Sequence, residues 1–200
     1  RERESAAPLP KSRYTLDTIT VGTAHAARGG RVSGELRGVS SSGGSLRVPL
    51  TLIHGAKAGP IIAYLSEAPD TGFSTVAGLT KLANLIDPAK ASGTVVIVPA
   101  FDASASRLIL EQVVTRADII VVLAGQEIAD EFHPYGYWAR TGVAAQDKAT
   151  RALAMAFGLD VVTVRDIDAK RADTSLVSAT LATGKSALLV VRSEEHTSEL

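Results

Sequence analysis

Histidine is the side chain whose spacing most directly reports metal or acid-base chemistry, and this 200-residue chain has four, His25, His54, His133 and, near its C-terminal end, His196. No two of them sit at metal-ligand spacing, so each is expected to be solvated or locally hydrogen-bonded. The chain has no cysteine, which removes disulfides, zinc ribbons and thiol catalysis together. Thr183-Gly184-Lys185-Ser186 has the ending of a phosphate-binding loop. However, Ala179 occupies the position of the required first glycine, and the tetrapeptide closes a helix-period stretch instead of opening one, so Gly184 is expected as a C-cap. Gly72-Phe73-Ser74-Thr75-Val76 begins like a nucleophile elbow, but Val76 stands where the second glycine belongs and Ser74 is better placed as a helix cap. Glu67 and Asp70 are two carboxylates close enough to share a hard cation weakly, or to form a solvated acidic loop. Phe132 to Trp138 gathers Tyr135, Tyr137 and Trp138 beside His133 and Glu131. That cluster suits either a pocket wall with two polar groups or an aromatic lid on the core.

These residues need elements to hold them. Alternating apolar positions at Tyr14 to Val21, Val32 to Val39 and Leu46 to Leu52 predict strands, with the Ser/Gly-rich Ser40–Gly44 as a hairpin turn. Beyond Lys57 the pattern becomes short continuous apolar runs: Pro60 to Leu65, Thr94 to Val98, Asp118 to Leu123, Val161 to Val164 and Ala187 to Val191. Runs of that kind suit strands covered on both faces. Helices are predicted between them, at about Thr75 to Ile86, Ser106 to Thr115, Ala144 to Phe157 and Thr174 to Ala182, the last capped by Asp173. The fold class is therefore α/β: a mostly parallel or mixed central sheet flanked by helices, with a small β-rich N-terminal segment.

Composition narrows the function. The 21 basic and 21 acidic residues balance, which argues against a nucleic-acid surface or a membrane-hugging face. The longest apolar runs, such as Ile119 to Ala124, fall far short of the roughly 18 residues needed to span a bilayer. No charged-then-apolar leader opens the sequence, so a cytoplasmic protein is expected. Arg192 to Leu200 reads codon for codon as the translation of a widely used sequencing adapter, and is expected to be a non-native scar. Without it the charged residues number 20 basic and 18 acidic. The expected organisation is a frayed segment over 1–11, a β-rich segment over 12–58, an α/β domain over 59–191 that is cut short at its C-terminus, and the scar over 192–200.

The order and spacing of several stretches carry a resemblance: Gly59 to Leu65, Leu79 to Asp102, Arg116 to Gly125, Ala154 to Val164 and Asp166 to Val191. Together they resemble the succinylglutamate desuccinylase/aspartoacylase family, zinc-dependent deacylases on a zinc-carboxypeptidase-like fold. The resemblance implies an HGxE motif after the first core strand for two zinc ligands, and a third ligand His in a DLHxG context. It also implies a segment carrying Arg and Asn-Arg groups for the substrate carboxylate, and a Glu general base. Two nitrogens and a carboxylate would leave one zinc position open for water.

Carried over position by position, HGxE falls on Pro69 to Gly72, so Pro69 and Gly72 replace its ligands. Ala124 replaces the third His, Val191 the general base, and the segment between Asp102 and Ala117 is too short for the arginine groups. His54-Gly55-Ala56-Lys57 imitates the motif, but precedes the Gly-Pro strand and has Lys57 in place of a carboxylate. The resemblance thus implies a catalytically degenerate deacylase homologue with no expected cofactor, a non-enzymatic binding or partner protein. An active paralogue, a second copy of the chain, or a small organic acid or N-acyl amino acid would be its partner, with no nucleic acid and no membrane. The alternative is an active metal-dependent amide or ester hydrolase with a non-standard site, drawing on Glu67, Asp70, Glu131, His133 and Tyr135. A plain α/β module with an organic-acid pocket and a decayed gene remain as further alternatives.

Overall fold

The computed structural model describes residues 15–40, 43–67, 73–126, 135–166 and 176–193. Two short strands, β1 (Thr18–Val21) and β2 (Ala24–Ala27), form an antiparallel ribbon. An eight-stranded mixed sheet follows, built from β3 (Gly30–Val39), β4 (Ser45–His54), β5 (Lys57–Glu67), β6 (Ser92–Phe101), β7 (Ile119–Gln126), β8 (Tyr135–Arg140), β9 (Val161–Asp166) and β10 (Ser186–Ser193). Its strand order is β3-β4-β6-β5-β7-β10-β8-β9. The four central strands are parallel to one another, whereas β4 runs antiparallel to β6 and β8 antiparallel to β10.

The sequence explains this arrangement. The runs that form β5, β7 and β10 are apolar at successive positions because helices cover both faces. On one face lie α1 (Phe73–Leu85) and α3 (Ala144–Ala156), over Ile53, Ile97, Val121 and Leu188. On the other face, Leu52, Leu65, Val98 and Ile120 are fully or almost fully buried. They lie beneath the β1–β2 ribbon, α2 (Ser106–Ile109) with a π turn over Leu110–Val114, and α4 (Leu176–Ala182). Each such side chain contributes about 1.5–3 kcal/mol of burial. The β3–β4 hairpin, from the β-rich N-terminal segment, joins this sheet through the β4–β6 ladder from Thr51↔Ile97 to His54↔Thr94. The last strand, β10, inserts between β7 and β8 and continues through Arg192 and Ser193.

Two local features depart from a simple reading. Pro60 lies inside a central strand, at a register shift of the β5–β6 ladder between Lys57 and Ile61, where a missing N–H is tolerated. Gly93 faces it with φ of +83°, and a Cβ there would come 2.3 Å from the Pro60 carbonyl oxygen, so no other residue fits without moving the backbone. The predicted single helix over Ser106 to Thr115 is a short α segment preceded by a 3-10 turn at Ala103–Ala105 and continued by the π turn. Asp173, the expected cap of α4, lies outside the described residues.

Candidate functional site

The parallel strands β5, β7 and β10 end at one edge of the sheet, and antiparallel β8 begins there. Such an edge, beyond the carboxyl ends of parallel strands, is where open α/β sheets place ligands. The register sets its residues in a row. Val191 of β10 lies opposite Ala124 of β7 on one side and Tyr135 of β8 on the other, and Tyr135 in turn lies opposite Val161 of β9. One residue past the last β5–β7 pair, Ser66 opposite Leu123, come Glu67 and Ala124. Two positions far apart in sequence, 124 and 191, thus become direct neighbours.

What these neighbours offer chemically is hydrocarbon. Val191 is only 6% exposed, and Ala124 beside it is part-buried. By strand alternation, both face the side of the sheet that carries Ala187 and Val122, beneath α2 and α4. Of the pocket residues suggested by the sequence, Glu67 and Tyr135 reach this edge on strands separated by β7 and β10. Pro69, Asp70, Gly72, Glu131 and His133 lie outside the described residues. Below the edge, the buried Ser66 hydroxyl bonds that of Thr75 at 2.8 Å, tying the first turn of α1 to the end of β5. Asp102, just beyond β6, accepts from the Ser104 N–H at 2.8 Å and from the Ser104 hydroxyl. The hydroxyl bond is the main cause holding its carboxyl below the usual range.

The other candidate groups serve the fold. Buried His54 bonds Thr94 Oγ1 through Nδ1 and the Leu16 carbonyl through Nε2, each at 2.9 Å, and His25 bonds Thr20 at 2.6 Å. Lys185 donates from Nζ to the carbonyls of Val114 and Ala117, closing the π turn, while Gly184 takes φ of +81° past α4. The phosphate-loop likeness is thus a helix C-cap with its lysine already engaged. Tyr137, from the aromatic cluster, is buried under the Arg165 guanidinium, 4.4 Å from ring centre to Cζ, and Trp138 packs in the core beside α3. Tyr64, in the same layer, has its phenol pushed up by burial.

A groove of about 730 Å³ that sequence reasoning missed runs between the far end of β3 and α2. Its only sequence signal is the density of charge at Glu35, Arg37 and Arg47 around the hairpin turn. Among the described residues, no helix is long and apolar enough to cross a membrane.

No protein-family model matches this chain, and no curated protein does. Solved structures do. An aspartoacylase family protein from Mesorhizobium loti superposes with a TM-score of 0.68 at 15% identity, covering 82% of this chain and 62% of that one. A succinylglutamate desuccinylase/aspartoacylase from Rhodobacter sphaeroides gives 0.65 at 19% identity, over 82% of this chain and 58% of its own. A metallo-carboxypeptidase from Burkholderia cenocepacia gives 0.55 at 15% identity, over 82% and 55%. The chain therefore has the fold that the sequence resemblance implied, and spans about three fifths of the length of the two deacylase-family structures.

The side chains at the positions that the resemblance assigns to zinc and the base do not suit a zinc ion: those of Ala124 and Val191 have no donor atom, and Pro69 and Gly72, outside the described residues, offer none by their type. Among the described residues no group of three His, Cys, Asp or Glu is close enough to hold a metal.

Proposed function

We propose that this chain, which shares the fold of the aspartoacylase and succinylglutamate desuccinylase structures, is a degenerate member of that deacylase family that binds and does not catalyse. The observation that carries the reading is the register pairing of Ala124 with Val191. The resemblance assigns those positions to a zinc ligand and the general base, yet both carry hydrocarbon side chains on neighbouring positions at the end of two central strands. Removing a metal ligand or a base alone would leave a weakened enzyme. Replacing both, together with the ligands at 69 and 72, leaves a folded scaffold without means to activate water, and fold alone does not confer the activity. Its ligand would be a small organic acid or N-acyl amino acid, or its partner an active paralogue or a second copy. A cytoplasmic setting agrees with this reading.

The test is calorimetric titration of the chain ending at Val191 with zinc, alongside hydrolysis assays on N-acetyl and N-succinyl amino acids with and without the metal. The expected result is no stoichiometric zinc binding and no turnover. Tight one-to-one binding with zinc-dependent hydrolysis that falls on changing His133 to Ala would overturn it in favour of an active hydrolase with a non-standard site.

A further inference from the structure

Helices lie over both faces of the central sheet, but they close one face and leave a strip of the other open. On the face beneath α2 and α4, Leu65, Ile120 and Val122 of β5 and β7 are at most 2% exposed. On the opposite face of the same two strands, Ile62, Tyr64, Ile119 and Leu123 are only part-buried. Tyr64 and Leu123 pack against both apolar clusters of that face, the one under α1 and the one under α3, so they lie between the two helices. Central parallel strands normally bury both faces. A continuous apolar strip along two of them differs from scattered surface hydrophobics, which need no explanation.

Helix geometry sets the walls of this trough. α1 and α3 each cross between neighbouring parallel strands, β5 to β6 and β8 to β9, and such crossovers are right-handed. With Leu79 and Ala83 turned to the sheet and about 3.6 residues per turn, the flank of α1 nearer β7 carries Gly78 and Leu85. Thr150 and Ala154 are the buried residues of α3, so its facing flank carries Ala149 and Ala156. Leu85 is 71% exposed, and a Cβ on Gly78 would meet nothing within 4 Å. The rim is basic. Lys81, Lys148 and Arg151 are the exposed charges of the two helices, whereas their one acid, Asp147, is engaged by Thr141 and Gly142. On the floor, the Tyr64 hydroxyl has no hydrogen-bond partner among the described residues and is open to an acceptor.

We infer that this trough takes one amphipathic α-helix of a partner protein, its apolar stripe laid on Ile62, Tyr64, Ile119 and Leu123 and its acidic flanks set against Lys81 and Lys148. Helix-in-groove recognition needs an apolar floor of this kind, and the charges of the rim select the partner. A second copy of the chain is the poorer occupant, because it would bring the same lysines against one another. The inference does not rest on the deacylase reading, since positions 124 and 191 lie on the other face of the sheet.

The experiment titrates the full chain into a fluorescein-labelled synthetic helix matched to the 13 residues of α1, with leucine at its apolar positions and glutamate on both flanks, read by anisotropy. A second peptide replaces every glutamate with lysine. Saturable binding of the glutamate peptide is expected, weakened by salt and about tenfold or more tighter than that of the lysine peptide. Leu85→Glu and Ala149→Glu, both at exposed positions, are each expected to weaken it about tenfold. Thr80→Glu adds the same charge on the opposite flank of α1 and is expected to leave binding unchanged. Variants are compared at matched unfolding midpoints, which report an intact fold. No saturable binding, a lysine peptide that binds as well, or equal losses in all three variants would overturn the inference. So would a dimer of the parent in sedimentation velocity that Ala149→Glu abolishes, since the trough would then belong to a second copy.

Discussion

Changing Val191 to Thr probes whether the strand-end row is a packed hydrocarbon seam or the wall of an open cleft. The two side chains are nearly the same shape, so the substitution exchanges one methyl for a hydroxyl with little change of volume. Val191 is 6% exposed and sits between Ala124 and Tyr135 on two flanking strands. In a helix a threonine hydroxyl can bond back to the preceding turn, but in a strand paired on both sides that escape is closed. The hydroxyl would therefore be buried largely unpaired, which costs about 1–3 kcal/mol. For a domain of this size, that lowers the melting temperature by roughly 2–4 °C per kcal/mol. Urea unfolding of parent and variant, followed by fluorescence of Trp138, measures the difference directly, with an unchanged slope as the sign that only native stability moved. A variant within about 0.5 kcal/mol of the parent would place position 191 against water, where surface substitutions normally fall. The description of the row as unable to host a charged base would then be wrong.

Two further outcomes follow from single side chains. Thr150 of α3 is completely buried and its hydroxyl has no hydrogen-bond partner among the described residues. Thr150→Val is expected to raise stability by about 1 kcal/mol in the same denaturation assay; a loss would mean that the hydroxyl is satisfied by a bound water. Asp147 accepts from the N–H and hydroxyl of Thr141 and from the N–H of Gly142, with the Thr141 N–H as the largest cause holding its carboxyl below the usual range. Because the folded value lies below the unfolded one, this stabilisation is present above about pH 3.9 and is lost as pH falls through the folded value. Unfolding midpoints of the parent and of Asp147→Asn should therefore converge as pH is lowered from neutral, and a gap that stays constant down to about pH 2.5 would refute the assignment.

Much of the fold was legible because its strands carry their own signature. The apolar runs at Ile61 to Leu65, Ile119 to Leu123 and Ala187 to Val191 are central strands with helices over both faces, as expected, whereas Val161 to Val164, which has the same signature and was expected to be covered too, forms the edge strand β9 with Val161 and Val164 exposed. What periodicity did not show was how the hairpin and the core strands combine: β3 and β4 read as an alternating, one-sided segment, although β4 pairs with β6 in the main sheet. The reason is positional: β3 is the edge strand and β4 pairs with β6 only from Thr51 to His54, so both are partly exposed. The π turn was equally hidden, since Leu110 to Val114 has the same apolar spacing as an ordinary helix. At the site, the resemblance points to Ala124 and Val191 one at a time, and only the β7–β10 register makes them neighbours.

On the reading proposed above, that adjacency bears on why the two replacements would occur together. Position 124 lies in β7 and position 191 in β10, with β8, α3, β9 and α4 between them in the chain. Had each drifted independently on a surface, a mixture of polar and apolar residues would be expected, since exposed positions tolerate either. Instead both carry small or branched hydrocarbons, and the larger is buried. Once a metal site is lost, a polar group left at the end of a packed sheet has no partner and costs about 1–3 kcal/mol, whereas an apolar side chain recovers burial at about 25 cal/mol per Å². Selection for stability alone, acting on a scaffold relieved of chemistry, would convert such a row to hydrocarbon, beginning with the positions that face each other. The Val191→Thr measurement reads the size of that gain, and the zinc titration reads whether the chemistry was in fact given up.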